Sequence, residues 1–360
     1  MIPSTMSGVY LIDHGGPEML EWRGDIPVPV PGVDEVLVKV LAAGVNNTDI
    51  NTRIGWYAKE VTGATDAVDE DVEVGGWSGA LQFPLIQGGD LCGEVVVLGD
   101  GISQFEIGQR VTCPINQPVP TQDNPFGFQA LGSEYNGAFA QFCCVPADQL
   151  YDVSASPLSD IEIGAMPCAF GTAMGLLERA GLKKGETVLI TGASGGVGMA
   201  AVQLASLRGA HVFAQTSAAK AEMVRQAGAD EILGRGETPG SQTVQVVIDL
   251  VGGPAWGGLI DALRPGGRYA TSGAIAGPIV ETDLRTIYLN DLTIFGSTYQ
   301  SPQVFGKLVD LINQGAIRPL VSKTYPLDQI AEAQEEFAAK RLPGKLVLLP
   351  WAAKGVKATD

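Results

Sequence analysis

The strongest chemical signal in the chain is a run of small residues, Thr191-Gly192-Ala193-Ser194-Gly195-Gly196-Val197-Gly198. It stands between an apolar run at residues 187–191 and an amphipathic stretch at 197–208. That context is a strand feeding a helix. Glycines there let the backbone approach a pyrophosphate, and the free N–H groups of the helix start face its charge. Ala193 takes the first place of the G-x-G-x-x-G pattern, and Gly195 and Gly198 take the other two. Gly195, Gly196, Val197 and Gly198 are the candidate cofactor-binding residues of this turn. A dinucleotide site for NAD wants an Asp or Glu about 20 residues further on, to hold the ribose 2′-hydroxyl. The chain instead reads Gln215-Thr216-Ser217-Ala218-Ala219-Lys220, with no carboxylate. Thr216 and Ser217 can donate to a phosphate, and Lys220 can set a charge against it. This favours NADP(H) over NAD(H).

Other reactive residue types are sparse. There are two histidines, His14 and His211, so a histidine-based triad or a multi-histidine metal site would have to use both. The five cysteines, Cys92, Cys113, Cys143, Cys144 and Cys168, form no C-x-x-C pair. An odd number without such pairs fits reduced thiols better than a disulfide scaffold. Lys and Arg number 23 against 40 Asp and Glu, a net charge of -17. That balance argues against a nucleic-acid partner and against an anionic membrane surface. No apolar stretch is long enough to span a bilayer, and residues 1–20 show no secretory pattern. A cytoplasmic, soluble protein is expected.

The elements that must position these residues fall into two patterns, and 360 residues suggest two domains. Up to residue 157 the chain reads as short strands punctuated by Gly and Pro. These are residues 35–42, 94–98, 108–112 and 137–145, an irregular barrel-like β domain. Two segments interrupt it. Residues 58–83 hold one lysine against six carboxylates and read as a solvated excursion or as a lid. Residues 114–135 are rich in Pro and Asn and read as loop.

From 158 the pattern changes to strands alternating with helices. A helical region at 158–180, split near Pro167, leads into strands at 187–191, 211–216, 244–249, 268–271 and 292–295. Such alternation predicts a parallel sheet covered on both faces. The tail holds helices at 303–313 and 327–338 and a strand at 345–349, which is placed to complete the first domain. The expected class is α/β. A barrel-like domain from residues 1–157 and 300–360 would surround a doubly wound nucleotide domain from 158–299.

The chain resembles the medium-chain dehydrogenase/reductase superfamily, and within it the zinc-free quinone oxidoreductase and enoyl reductase group. The resemblance rests on four stretches in order: Ala43-Gly44-Val45-Asn46-Asn47-Thr48-Asp49, Gly88-Gly89-Asp90-Leu91-Cys92-Gly93-Glu94, the turn at 192–198, and Gly344-Lys345-Leu346-Val347-Leu348. It implies a GroES-like catalytic domain built from both chain ends, a Rossmann domain between, an active site in the cleft, and a homodimer. Family members with a catalytic zinc hold it by Cys, His and Cys. The matching positions here are Asn46, Gly89 and Cys168, and Asp90 stands for the Glu beside the missing histidine. Asn and Gly cannot replace thiolate and imidazole. The four clustered cysteines of the family's structural zinc have no counterpart in 114–135. The expectation is that no metal is bound.

Without zinc, alcohol oxidation loses its usual means of stabilising an alkoxide. Reduction of a conjugated C=C or a quinone is easier, because the developing charge is delocalised. The resemblance gives Tyr57, eleven residues after Asn46, as proton donor or substrate orienter. It places Asn46 near the nicotinamide as a second catalytic candidate, and Thr172 at the nicotinamide end. Trp56 is placed to line an apolar slot, Asp49 to fix its loop, and Tyr135 and Asn136 to border the cleft. The expected function is an NADPH-dependent reductase of a quinone or an enone or enal. The net charge argues against a coenzyme A thioester as its substrate. The alternatives are an alcohol dehydrogenase acting on a small alcohol or aldehyde, and a non-catalytic NADPH-binding protein of the same fold.

Overall fold

The chain opens with a hairpin that was not among the expected strands, β1 (Thr5–Leu11) against β2 (Leu20–Pro27). β2 alternates Leu20, Trp22 and buried Ile26 with exposed Glu21, Arg23 and Asp25, the period of two that marks a strand with one face in water. Then follow β3 (Glu35–Gly44), α1 (Asn47–Arg53), β4 (Cys92–Leu98), β5 (Arg110–Thr112), β6 (Asn116–Pro118), β7 (Phe128–Ala130), β8 (Phe142–Pro146) and β9 (Tyr151–Asp152). β6 and β7 pair antiparallel inside the segment read as loop; each has three residues, too few to show a period. This computed structural model describes residues 1–58, 61–65 and 81–352, so most of the acidic stretch 58–83 lies outside the described residues.

The helical region is split as the sequence implies, into α2 (Asp160–Gly164) and α3 (Pro167–Arg179). Ser159 and Glu162 form a capping box at the start of α2. Pro167 opens α3, where a missing N–H costs nothing. Next come β10 (Thr187–Ile190), α4 (Gly196–Leu207), β11 (His211–Gln215), α5 (Ala221–Gln226), β12 (Glu231–Leu233), β13 (Val244–Asp249), α6 (Trp256–Asp261), β14 (Leu263–Thr271), α7 (Leu284–Leu289) and β15 (Thr293–Gly296). The chain ends through α8 (Pro302–Gln314), β16 (Val321–Pro326), α9 (Ile330–Ala338) and β17 (Lys345–Leu349).

The described residues group into two units. The first takes residues 1–58, 81–171 and 299–352. Its main sheet runs β16-β17-β3-β4-β5-β9, with β8 also paired to β3. β17 lies antiparallel to β3, with Val347 opposite Gly44, so the closing strand belongs to this unit. Val36, Val38 and Val40 point into a core shared with Leu91, Phe139 and Leu348. Residues 158–171, which the change of pattern assigned to the second domain, group with this unit. The cause is close packing: a Cβ on Gly164 would lie 2.8 Å from the Ala42 side chain. Arg110 also donates to the Leu158 carbonyl at 3.0 Å.

The second unit holds residues 61–65 and Thr172–Thr298. Its sheet is parallel throughout, in the order β12-β11-β10-β13-β14-β15. Numbered from β10, that is the order 3-2-1-4-5-6 of the Rossmann fold. Val188, Leu189 and Ile190 are all fully buried, as are Val246, Val247 and Ile248. Consecutive strand residues face opposite sides, so both faces of the sheet are covered. Among the described residues, no helix is long and apolar enough to cross a membrane.

Candidate functional site

In the first unit the candidate residues converge where β3 ends and α1 begins. Asn46 caps α1 and is 5% exposed. Its backbone N–H donates to Asp49 Oδ2 at 2.8 Å. Its side chain turns inward: Nδ2 donates to Asp90 Oδ2 at 3.0 Å, and Oδ1 accepts from Lys345 Nζ. Lys345 Nζ also donates to Val45 O and to Asp90 Oδ2, each at 2.9 Å. Asp90 Oδ1 accepts from the backbone N of Cys168, at the start of α3, at 2.6 Å. A Cβ on Gly44 would sit 2.4 Å from Asp90 Oδ2, so this carboxylate needs glycine at the end of β3. A Cβ on Gly89 would sit 2.1 Å from Ile115 Cδ1, so Ile115 fills the space a side chain there would take.

Asp49 is fully buried, and burial pushes its carboxyl up to about 7. The Asp90 charge adds to the rise, while the N–H groups of Asn46 and Gly89 and the Lys345 ammonium oppose it. Asp49, Thr48, Thr52 and Gln87 line a small cavity with Ile115 and Leu131. Tyr57 is half-buried, and its hydroxyl donates to Thr48 Oγ1 at 3.3 Å. Tyr57 and the Asn46 cap are thus tied to the same first turn of α1. Trp56 packs edge-on against Tyr57. Tyr135 and Asn136 are engaged internally, the first donating to Gln117 Oε1 and the second accepting from the N–H of Ile86.

In the second unit the glycine turn lies between β10 and α4, beside the point where the strand order reverses. Gly195 caps α4 and is exposed; Gly196 and Val197 are half-buried. Gly192 has φ 58°, a left-handed conformation that suits glycine. A Cβ on Gly198 would lie 2.2 Å from Gly192 O, so glycine is what lets α4 pack onto the turn. Ala193 N donates to Gln215 O at 3.0 Å, which ties the turn to the end of β11. Thr216 follows immediately, and its buried Oγ1 has no hydrogen-bond partner among the described residues. Ser217 and Lys220 are half-buried on the short helical turn after it. The Lys220 ammonium is pushed down in pKa by burial and by the nearby charge of Arg235. Thr172 is half-buried on α3, at the boundary of this unit.

Sequence reasoning missed three contributors. Arg235 stands just past β12, a strand of three residues that was itself unread. The Asp90–Lys345 ion pair joins residues 255 apart in sequence; its one local sign is a lysine opening an apolar strand. Asp249, at the end of β13, accepts from Thr191 Oγ1 at 2.6 Å, from Val251 N at 2.9 Å and from the Tyr269 hydroxyl, and so braces the loop beside the turn.

Comparison with known proteins shows what the chain is similar to. Residues 32–155 match the alcohol dehydrogenase GroES-like domain, and residues 209–348 match the zinc-binding dehydrogenase family. The acryloyl-coenzyme A reductase of Metallosphaera sedula is 30% identical over 90% of this chain and 95% of its own. The quinone oxidoreductase of Mus musculus is 28% identical over 96% of this chain and 98% of its own. A solved structure from Sinorhizobium meliloti 1021, provisionally assigned as an alcohol dehydrogenase, superposes with TM-score 0.87 at 41% identity, over 97% of both chains.

Proposed function

Since the chain belongs to the medium-chain dehydrogenase/reductase superfamily, in its quinone oxidoreductase-like branch, we propose that it is an NADP(H)-dependent reductase of quinones or activated C=C bonds that works without zinc. The observation that carries the cofactor preference is the cradle after β11. There the orphaned Thr216 hydroxyl, Ser217 and two neighbouring cations, Lys220 and Arg235, stand where NAD binding would need a carboxylate. These groups fit a 2′-phosphate. The N–H groups at Gly195, Gly196, Val197 and Gly198 would hold the pyrophosphate at the start of α4.

The residues at the zinc-ligand positions do not fit a metal. Asn46 Oδ1 is already bonded to an ammonium, Gly89 offers no ligand atom, and Asp90 is paired with Lys345. Among the described residues, no group of three or more His, Cys, Asp or Glu is placed to hold one. A bound nicotinamide supplies the hydride. A conjugated acceptor spreads the resulting charge over its own atoms, so a hydrogen-bond donor can serve where an alkoxide would need a Lewis acid. The Tyr57 hydroxyl is that donor in this reading. Asn46, with both ends of its amide engaged, contributes by fixing the start of α1 beside Thr48.

Simple enones and quinones suit a net charge of -17 better than a coenzyme A thioester, which carries phosphates. The Metallosphaera sedula relative keeps an enoyl thioester within the class to be tested. A second reading, alcohol dehydrogenase, draws on the Sinorhizobium meliloti structure. NADPH consumption with an enone, a quinone and an enoyl thioester, set beside NADP⁺ reduction with alcohols, separates the two. Turnover confined to the alcohols would overturn the reductase reading. A homodimer is part of the proposal. Among the described residues β15 is the last strand of its sheet, with Ile294 exposed; Leu284, Tyr288 and Leu289 of the preceding α7 are exposed too, and a second copy could cover both. A monomer by light scattering would remove it.

A further inference from the structure

Of the three zinc-ligand positions, Asn46 touches a cation of the chain's own, Lys345, and Gly89 and Cys168 are joined to it through Asp90, the first as its chain neighbour and the second by a hydrogen bond. Lys345 Nζ has three acceptors, Val45 O, Asn46 Oδ1 and Asp90 Oδ2, which use all three of its protons. Its side chain is 3% exposed and that of Asp90 is 0% exposed. Burying such a pair is costly unless the remaining lone pairs are also satisfied. Here they are: Asp90 accepts from Asn46 Nδ2 and from the backbone N of Cys168 as well. One ion pair thereby joins the end of β3, the start of α1, the loop before β4, the start of α3 and β17. Positions 46, 89 and 168 all lie on this cluster or beside it.

We propose that Lys345 is a positioning residue whose ammonium fills the cation position formed by Val45, Asn46 and Asp90. It fixes the first turns of α1 and α3 to each other and to β17, through Asn46 and through Asp90. Through Asn46 it sets the turn that carries Thr48, the partner of the Tyr57 hydroxyl. The effect on rate rests on the reductase reading given above; the cation position itself does not.

Chemical rescue tests this. Lys345→Ala leaves the three oxygens around a space that n-propylammonium can fill, since it supplies the atoms removed beyond Cβ. At a temperature where the variant is folded by circular dichroism, kcat on an enone should fall by about 10- to 100-fold, the scale of a small misplacement. The NADPH Kd should hold. Added n-propylammonium should raise both the melting temperature and kcat, while propanol and potassium chloride at matched concentration should not. A folded variant that gains nothing from the amine, or gains as much from potassium chloride, overturns the proposal. If Lys345→Ala does not fold, Lys345→Met alone and combined with Asp90→Asn decides. The double variant should melt above the single one, because it removes the stranded charge; a double variant that melts no higher overturns the proposal. If the wild type turns over no acceptor, the reductase reading fails while the melting data still judge the cation position.

Discussion

Replacing Lys220 by Ala should weaken NADPH far more than NADH. Lys220 is half-buried and lies close enough to Arg235 for the two charges to disfavour each other, a strain that a bound dianion would relieve. Opposite unit charges about 4 Å apart attract by about 1 kcal/mol in water and about 4 kcal/mol near a protein surface. A half-buried ammonium falls between these limits. A hydrogen bond to a charged group is worth about 1.5–3 kcal/mol, which is a loss of roughly 10- to 150-fold in Kd. Arg235 is exposed, so Arg235→Ala should cost only about 0.2–1 kcal/mol, or up to about fivefold. NADH lacks the 2′-phosphate and should hold its affinity in both variants. Fluorescence titration of each reduced cofactor at low and high salt measures this, and salt should narrow the gap. Equal weakening of NADPH and NADH, or a wild type that prefers NADH, would refute the assignment of this cradle to the 2′-phosphate.

Tyr57→Phe should lower kcat on an enone by about 10²-fold, the low end for general acid catalysis, and should affect a quinone less. A rise in KM alone would make the hydroxyl an orienting group, and no change on either acceptor would remove Tyr57 from the site. Asp49 should carry a pH signature. Its carboxyl titrates near 7 in the fold and at about 3.9 unfolded, so between those values the folded chain binds more protons. Its contribution to stability is therefore full below about pH 4 and is lost as pH rises through 7. Urea melts should show wild type losing more stability than Asp49→Asn between about pH 5 and pH 8, by about 2–3 kcal/mol. Parallel losses would show that Asp49 does not titrate there.

What the sequence disclosed depended on how local the cause is. β10, the glycine turn and α4 were legible because a buried parallel strand is an unbroken apolar run and the close approach at Gly198 admits only glycine. The break between α2 and α3 was legible from Pro167. β6 and β7 were not, because a three-residue strand carries no period, whereas β2 does carry one in Leu20, Trp22 and Ile26 and was legible though unread. Asn46 was singled out by its motif, but not the fact that its amide is spent on Asp90 and Lys345. Those partners come from remote segments, and a single chain of letters does not show which distant strand will lie alongside. Arg235 escaped for the same reason: it meets Lys220 only once β12 has paired with β11.

The central claim is metal-free, NADPH-dependent reduction of a conjugated acceptor. It is tested most directly by assaying one sample for both halves at once. The purified protein, dialysed against a strong chelator, is measured for zinc by elemental analysis and for NADPH consumption with an enone and a quinone. The expected result is undiminished turnover of at least one acceptor with zinc far below one atom per chain. Activity that disappears with the metal and returns only when zinc is restored would contradict it.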